Sequence, residues 1–92
     1  MNPETLTIPT TWTARVEADA EPALLARLLQ KLTCQGATIQ TLHYRRDTSG
    51  DDPVIQLELT FLAAEFRAGL LAKQWRTIVP VRRVELMQAV RE

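Results

Sequence analysis

The chain has 92 residues, 46% hydrophobic and 24% charged, which is the balance of one soluble globular domain. Eleven basic residues offset eleven acidic ones, so the basic excess that a nucleic-acid partner asks for is missing. No apolar run approaches the roughly 18 residues of a membrane span, and the opening "MNPETLTIPTT" lacks the charged and apolar regions of a secretory signal. One cysteine, Cys34, cannot close an internal disulfide, which fits a reducing cytoplasm.

Residues 1–10 read as a polar lead-in, 11–88 as one domain and 89–92 as a tail. In "TWTARVEA", Trp12, Ala14, Val16 and Ala18 share one parity, and Thr11, Thr13, Arg15 and Glu17 the other. That alternation predicts a half-buried strand. A helix follows, with Leu24, Leu25, Leu28, Leu29 and Leu32 in one apolar stripe and Arg27, Gln30 and Lys31 outside it. Pro22 suits the first helical turn, Glu21 adds favourable negative charge near its start, and Gly36 stands where a C-terminal cap is wanted.

"ATIQTLHYRR" reads as the second strand. Ile39 and Leu42 have opposite parity there, so either both faces are partly covered or a bulge intervenes. The turn-rich "DTSGDDP" predicts a hairpin loop. In "VIQLELTF", Ile55, Leu57, Leu59 and Phe61 point one way. "AAEFRAGLLAKQW" predicts the second helix, with Ala63, Phe66, Leu70 and Gln74 along one side. "VPVRRVELM" is the last strand, and Pro80 belongs on an edge because it cannot donate a ladder bond.

The order β-α-β-β-α-β predicts an α+β, ferredoxin-like domain, a four-stranded antiparallel sheet with both helices on one face. The second and fourth strands are then edges. They carry Arg45, Arg46, Arg82 and Arg83, charges that discourage random sheet pairing or that meet a partner.

Catalytic chemistry is absent from the pattern. His43 and Cys34 fall in no metal-ligand spacing, Ser49 lies in the hairpin loop, and no glycine-rich phosphate loop exists. Cys34 reads as a small packing residue and His43 as a strand surface residue. Neither a metal nor a cofactor is expected in this chain. An RNA-recognition role would need aromatics on the open sheet face, but those positions read Thr11, Thr13, Arg15, Glu17, Gln56, Glu58 and Thr60.

From about Trp12 to Met87 the chain resembles an ACT domain, and within that group the small regulatory subunit of acetolactate synthase. The stretches that carry the likeness are "EADAEPALLARLLQKLTCQGATIQTL", "IQLELT" and "IVPVRRVEL". Because the sequence stops at Glu92, it is similar to the short single-domain type known from the second isozyme of enteric bacteria. The resemblance implies a non-catalytic subunit that binds and activates the large catalytic subunit in branched-chain amino acid biosynthesis. Thiamine diphosphate, Mg and FAD would belong to that partner. It also implies a homodimer through an edge strand. Effector-site positions carry over to Ala20, Glu21, Ala23, Leu24, Thr38 and Ile39.

Valine-sensitive members have Asn, Gly and Asn where this chain has Ala20, Ala23 and Thr38, so two amide side chains are gone and a Cβ has been added. Weak binding or none is expected for valine. Candidate partner contacts are Arg27, Lys31, Arg45, Arg82 and Arg83, with Arg67 and Lys73 on the second helix. The alternative is a free-standing ACT-type amino-acid sensor that regulates another metabolic enzyme.

Overall fold

A computed structural model describes residues 8–89. Its elements are β1 (Pro9–Asp19), α1 (Leu24–Cys34), β2 (Thr38–Asp47), β3 (Val54–Ala64), α2 (Glu65–Arg76) and β4 (Val81–Gln88). The sheet order is β2-β3-β1-β4, antiparallel throughout, so the expected ferredoxin-like plan and its two edge strands are present. β1 begins earlier than the alternation suggested. Pro9 and Thr10, read as lead-in, pair with Ala64 and Ala63. The rest of the lead-in (1–7) and most of the tail (90–92) lie outside the described residues.

The two central strands carry the core. Trp12, Ala14, Val16 and Ala18 lie opposite Phe61, Leu59, Leu57 and Ile55, and all eight are buried. Their shared parity puts them on the face that the helices cover. From α1, Leu24, Leu28 and Leu32 complete the layer, while Leu25 and Leu29 are half-buried beside it. Two indoles close it. Trp12 Nε1 donates to the Ala63 carbonyl at 3.0 Å, and Trp75 Nε1 donates to the Leu28 carbonyl at 3.0 Å. The second bond ties α2 to the middle of α1.

Three expectations need correction. The buried side of α2 is Ala68, Leu71, Ala72 and Trp75, whereas Phe66 and Leu70 are exposed and Ala63 belongs to β3. Trp75 fixes the helix's rotation, because a fully buried indole must keep its N–H partnered. Pro22 and Glu21 precede the helix. Leu24 N–H bonds the Glu21 carbonyl at 3.3 Å and Ala23 sits at φ 66, ψ 1, so Pro22 and Ala23 are the central residues of a type II turn. No acidic residue lies in the first turn of α1. Cys34 is exposed at the last position of α1, on the flank away from Leu28 and Leu32, and fills no core space.

The cap appears as read, and of the two explanations for the parity conflict in β2 the bulge is present. Gly36 adopts φ 71, its N–H bonds Thr33 O at 3.0 Å, and Ala37 N–H bonds Leu32 O at 3.0 Å, the paired bonds of a Schellman motif. In β2 the register shifts between Ile39 and Thr41, leaving Gln40 without an opposite residue. The bulge brings Ile39 and Leu42 onto one face, opposite Phe61 and Leu59. At the hairpin, Asp47 accepts bonds from the Ser49 N–H at 2.9 Å and the Ser49 hydroxyl at 2.6 Å. These bonds hold its carboxyl below the ordinary carboxylate range.

The indole tie between the helices gives a test. Trp75→Phe keeps most of the apolar volume but loses the indole N–H bond to the Leu28 carbonyl, which keeps its partner within α1. It should cost about 1–3 kcal/mol in urea unfolding, with the slope of the transition unchanged.

Candidate functional site

The corner between β1 and α1 is built by two neighbouring carbonyls. Asp19 N–H bonds Pro80 O at 2.9 Å, and Ala20 N–H bonds Pro53 O at 3.0 Å. The end of β1 is thus clasped between the residues that precede β4 and β3. Pro53 and Pro80 have no N–H of their own, so they act here as acceptors alone. Asp19 also pairs with Arg82, the extra residue where β4 shifts register.

Beyond Ala20 the chain turns outward. Glu21, Pro22 and Ala23 are exposed, and then Leu24 drops into the core at 1% exposure. Leu24 therefore offers no side chain to a ligand, and its N–H is taken by Glu21 O. Arg27 N–H bonds Ala23 O at 3.1 Å, and among the described residues no acceptor meets the N–H groups of Leu25 and Ala26. Two backbone donors thus face outward at the helix start, with no side-chain cap. The acidic groups nearby are Asp19, engaged by Arg82, and Glu21.

Ala23 is the one non-glycine residue with positive φ among the described residues. A Cβ in that region costs about 1–2 kcal/mol. The turn persists because both ends are pinned, by the Ala20–Pro53 bond before it and by buried Leu24 after it.

Thr38 and Ile39 lie elsewhere. Asp19 pairs with Val54 at one end of β3, and Thr38 pairs with Leu62 near the other. At about 3.4 Å per residue, roughly 27 Å of strand separates them. Within one chain the six carried-over positions therefore form two half-sites at opposite ends of the sheet. Thr38 lines a depression of about 530 Å³ there, with Cys34, Gly36 and Arg67.

The candidate partner residues do not form one patch. Gln35, at the end of α1, bonds Gln74 and Arg67 of α2, so the flank carrying Lys31 and Arg27 faces α2. Arg45 bonds Gln56 on the helix-free face, Arg83 pairs with Glu85 at 2.7 Å on the same face, and Arg82 turns to Asp19. Lys73 and Phe66 share the outer surface of α2, where Arg67 lies 5.0 Å over the Phe66 ring.

Two surfaces escaped the sequence reading. The first is the helix side of β2. Opposite buried Phe61, Leu59 and Leu57 stand Ile39, Leu42 and Tyr44, exposed by 41%, 37% and 45%. No helix covers them, and half-buried Leu25 and Leu29 lie on the side of α1 away from α2. The second is a depression of about 640 Å³ on the helix-free face, lined by Arg15, Glu17, Arg45, Glu58, Arg83 and Glu85 among others. Strand parity assigns those residues to one face, but only the register shows which of them meet. Among the described residues no three His, Cys, Asp or Glu side chains gather to hold a metal, and no helix is long and apolar enough to cross a membrane.

Residues 8–92 match the family model of the ACT-like domain. This chain belongs to that family. Among solved structures it is similar to the ACT domain from the GTP pyrophosphokinase of Chlorobium tepidum, at 12% identity and TM-score 0.72, covering 86% of this chain and 99% of that one. It is similar to a homoserine dehydrogenase from Thiobacillus denitrificans, at 16% identity and TM-score 0.71, over 91% of this chain but 18% of that one. A formyltetrahydrofolate deformylase from Burkholderia mallei gives 11% identity and TM-score 0.68, over 83% of this chain and 27% of that one. At these identities the likeness is one of fold, and the chain spans a small part of the two enzymes. No curated protein matches.

The two left-handed positions give opposite predictions. Ala23→Gly removes the Cβ penalty and should raise stability by about 0.5–1 kcal/mol. Gly36→Ala has no atom within 4 Å of the new Cβ, so its loss of about 1 kcal/mol comes from φ alone. Thermal or urea unfolding of both variants checks the pair of signs.

Proposed function

We propose that this chain is a non-catalytic regulatory domain that acts by association, pairing with a second copy through β2 and binding a larger enzyme. The observation that carries this reading is the uncovered apolar side of β2, Ile39, Leu42 and Tyr44, beside an unpaired strand edge. Such a strand is completed by another strand, and apolar side chains next to it add area that only a partner can bury.

Antiparallel pairing of β2 with its copy has a specific consequence. It runs the partner's Thr38 end beside this chain's Asp47 end, which β3 joins to the corner. The two half-sites that one chain keeps at opposite ends then approach across the pair. Parallel pairing would leave them apart.

The favoured enzyme partner is the large catalytic subunit of acetolactate synthase, which the resemblance implies. Its thiamine diphosphate, Mg and FAD would do the chemistry. The domain would raise activity by binding the active arrangement better than the inactive one. Valine binds weakly in this reading, because Ala20, Ala23 and Thr38 supply no amide side chain. Co-expression with that subunit should give a copurifying complex with a raised rate, and calorimetry on the complex should show no low-micromolar valine binding. Absence of both the complex and the rate increase defeats the acetolactate synthase assignment.

A free-standing amino-acid sensor is the second reading. It is favoured by the preserved turn at Ala23 and the outward N–H groups of Leu25 and Ala26, which suit a carboxylate. Equilibrium dialysis of the isolated chain against the amino acids separates the two. Micromolar binding of any one selects the sensor.

Pairing through β2 has its own test. Leu42→Lys places a charge in the middle of the uncovered strip while leaving the monomer core intact. The variant should sediment at half the wild-type mass with an unchanged melting transition measured at low protein concentration.

A further inference from the structure

The helix-free face is the surface that the reading above leaves unused. Around the middle of the strands its charged side chains form two rows across the sheet, next to an uncharged row of Thr41, Thr60, Thr13 and Met87. In the order β2, β3, β1, β4, the first row is His43, Glu58, Arg15, Glu85 and the second is Arg45, Gln56, Glu17, Arg83. On β1 and on β4 the sign of charge reverses between the rows. Arg15 pairs with Glu58 at 3.0 Å and Arg83 with Glu85 at 2.7 Å, yet these side chains remain open to solvent, Arg15 by 57% and Arg83 by 70%.

We propose that this face docks on the same face of a second copy of this chain. The argument is charge complementarity under a two-fold axis. An axis running across the strands, midway between the two rows, lays each row over the other row of the facing copy. Arg15 then meets Glu17, Glu85 meets Arg83 and Glu58 meets Gln56, each contact occurring twice. His43 meets Arg45. Stacked sheets lie about 10 Å apart and are turned by about 30°, so the match holds best at β1, near the centre.

The same composition disfavours other occupants. In the two rows three arginines face three glutamates, and the chain's formal net charge is zero, so neither nucleic acid nor an anionic membrane gains a net attraction. Two neutral copies, by contrast, approach without overall repulsion. Desolvating so many charges limits the affinity, so the contact contributes specificity and weakens as salt rises. It leaves the β2 edge free and does not depend on pairing there. If both contacts form, the particle is a pair of pairs.

Sedimentation velocity at low ionic strength tests the proposal with complementary variants. Arg15→Glu makes β1 acidic in both rows, and Glu17→Arg makes it basic in both. Each alone sets like charges against like and should weaken this association about tenfold or more, halving the particle mass. An equimolar mixture should recover the wild-type mass, because the acidic face of one variant meets the basic face of the other. Arg83→Glu and Glu85→Arg form a second such pair, at the sheet edge, should either β1 variant fold poorly. Wild-type protein whose mass is the same as that of every charge variant overturns the proposal, as does a mixture that stays at the mass of its separate variants.

Discussion

Two helices cover four strands evenly only when they sit centrally, and most of this molecule follows from their lying off centre. At about 4.8 Å per strand and about 10 Å per helix, the two layers match only when the helices sit centrally. Here α2 leans toward β4, held by the Arg76 side chain on the Val84 carbonyl at 3.1 Å. Its partner α1 is drawn after it by the Trp75–Leu28 bond. The uncovered strand is β2. Among the described residues eighteen form the buried core and none comes from β2. The strand keeps its backbone bonds to β3 but contributes no buried side chain of its own.

The corner illustrates a related point about what holds a shape in place. A left-handed residue before a helix is ordinarily a glycine, and here it is Ala23. The conformation survives because its neighbours over-determine it: two proline carbonyls receive the end of β1, and Leu24 is committed to the core. Backbone geometry at such a corner is thus inherited from the packing around it, while recognition depends on the side chains it displays. The two can change independently. A corner can keep the turn and the free N–H groups and yet lose the amide that would distinguish one amino acid from another.

How far the sequence carried depends on where one face alone is buried. The alternation at Trp12–Ala18 and Ile55–Phe61 was legible because each strand has a single wet side. The parity conflict between Ile39 and Leu42 left two explanations open, and the strand register shows that the bulge at Gln40 is the right one. The rotation of the second helix was not legible, although its presence was. Phe66, Ala68, Leu70, Leu71, Ala72 and Trp75 surround it with apolar residues, and its rotation is chosen by an indole hydrogen bond to another helix. Pro22 was ambiguous for a simpler reason: its fixed φ suits both a first helical turn and the second position of a type II turn, and residue 23 decides. The separation of the half-sites could not be seen at all without the strand order, because Ala20 and Thr38 are close in sequence but face opposite ends of β3.

These features bear on how association and ligand binding would be linked. In a pair joined antiparallel through β2, a ligand touching the corner of one copy and the Thr38 end of the other binds only the pair. Binding and pairing then strengthen each other by the same factor, as linkage requires. Removing the amides at the two half-sites lowers the ligand's affinity but leaves Ile39, Leu42 and Tyr44 as they were. Pairing then rests on apolar area and strand bonds alone, and no longer reports the ligand's concentration. A domain in that condition remains a constitutive partner. Its influence on a larger enzyme would be set by how much of the chain is present, through mass action, rather than by the supply of an amino acid.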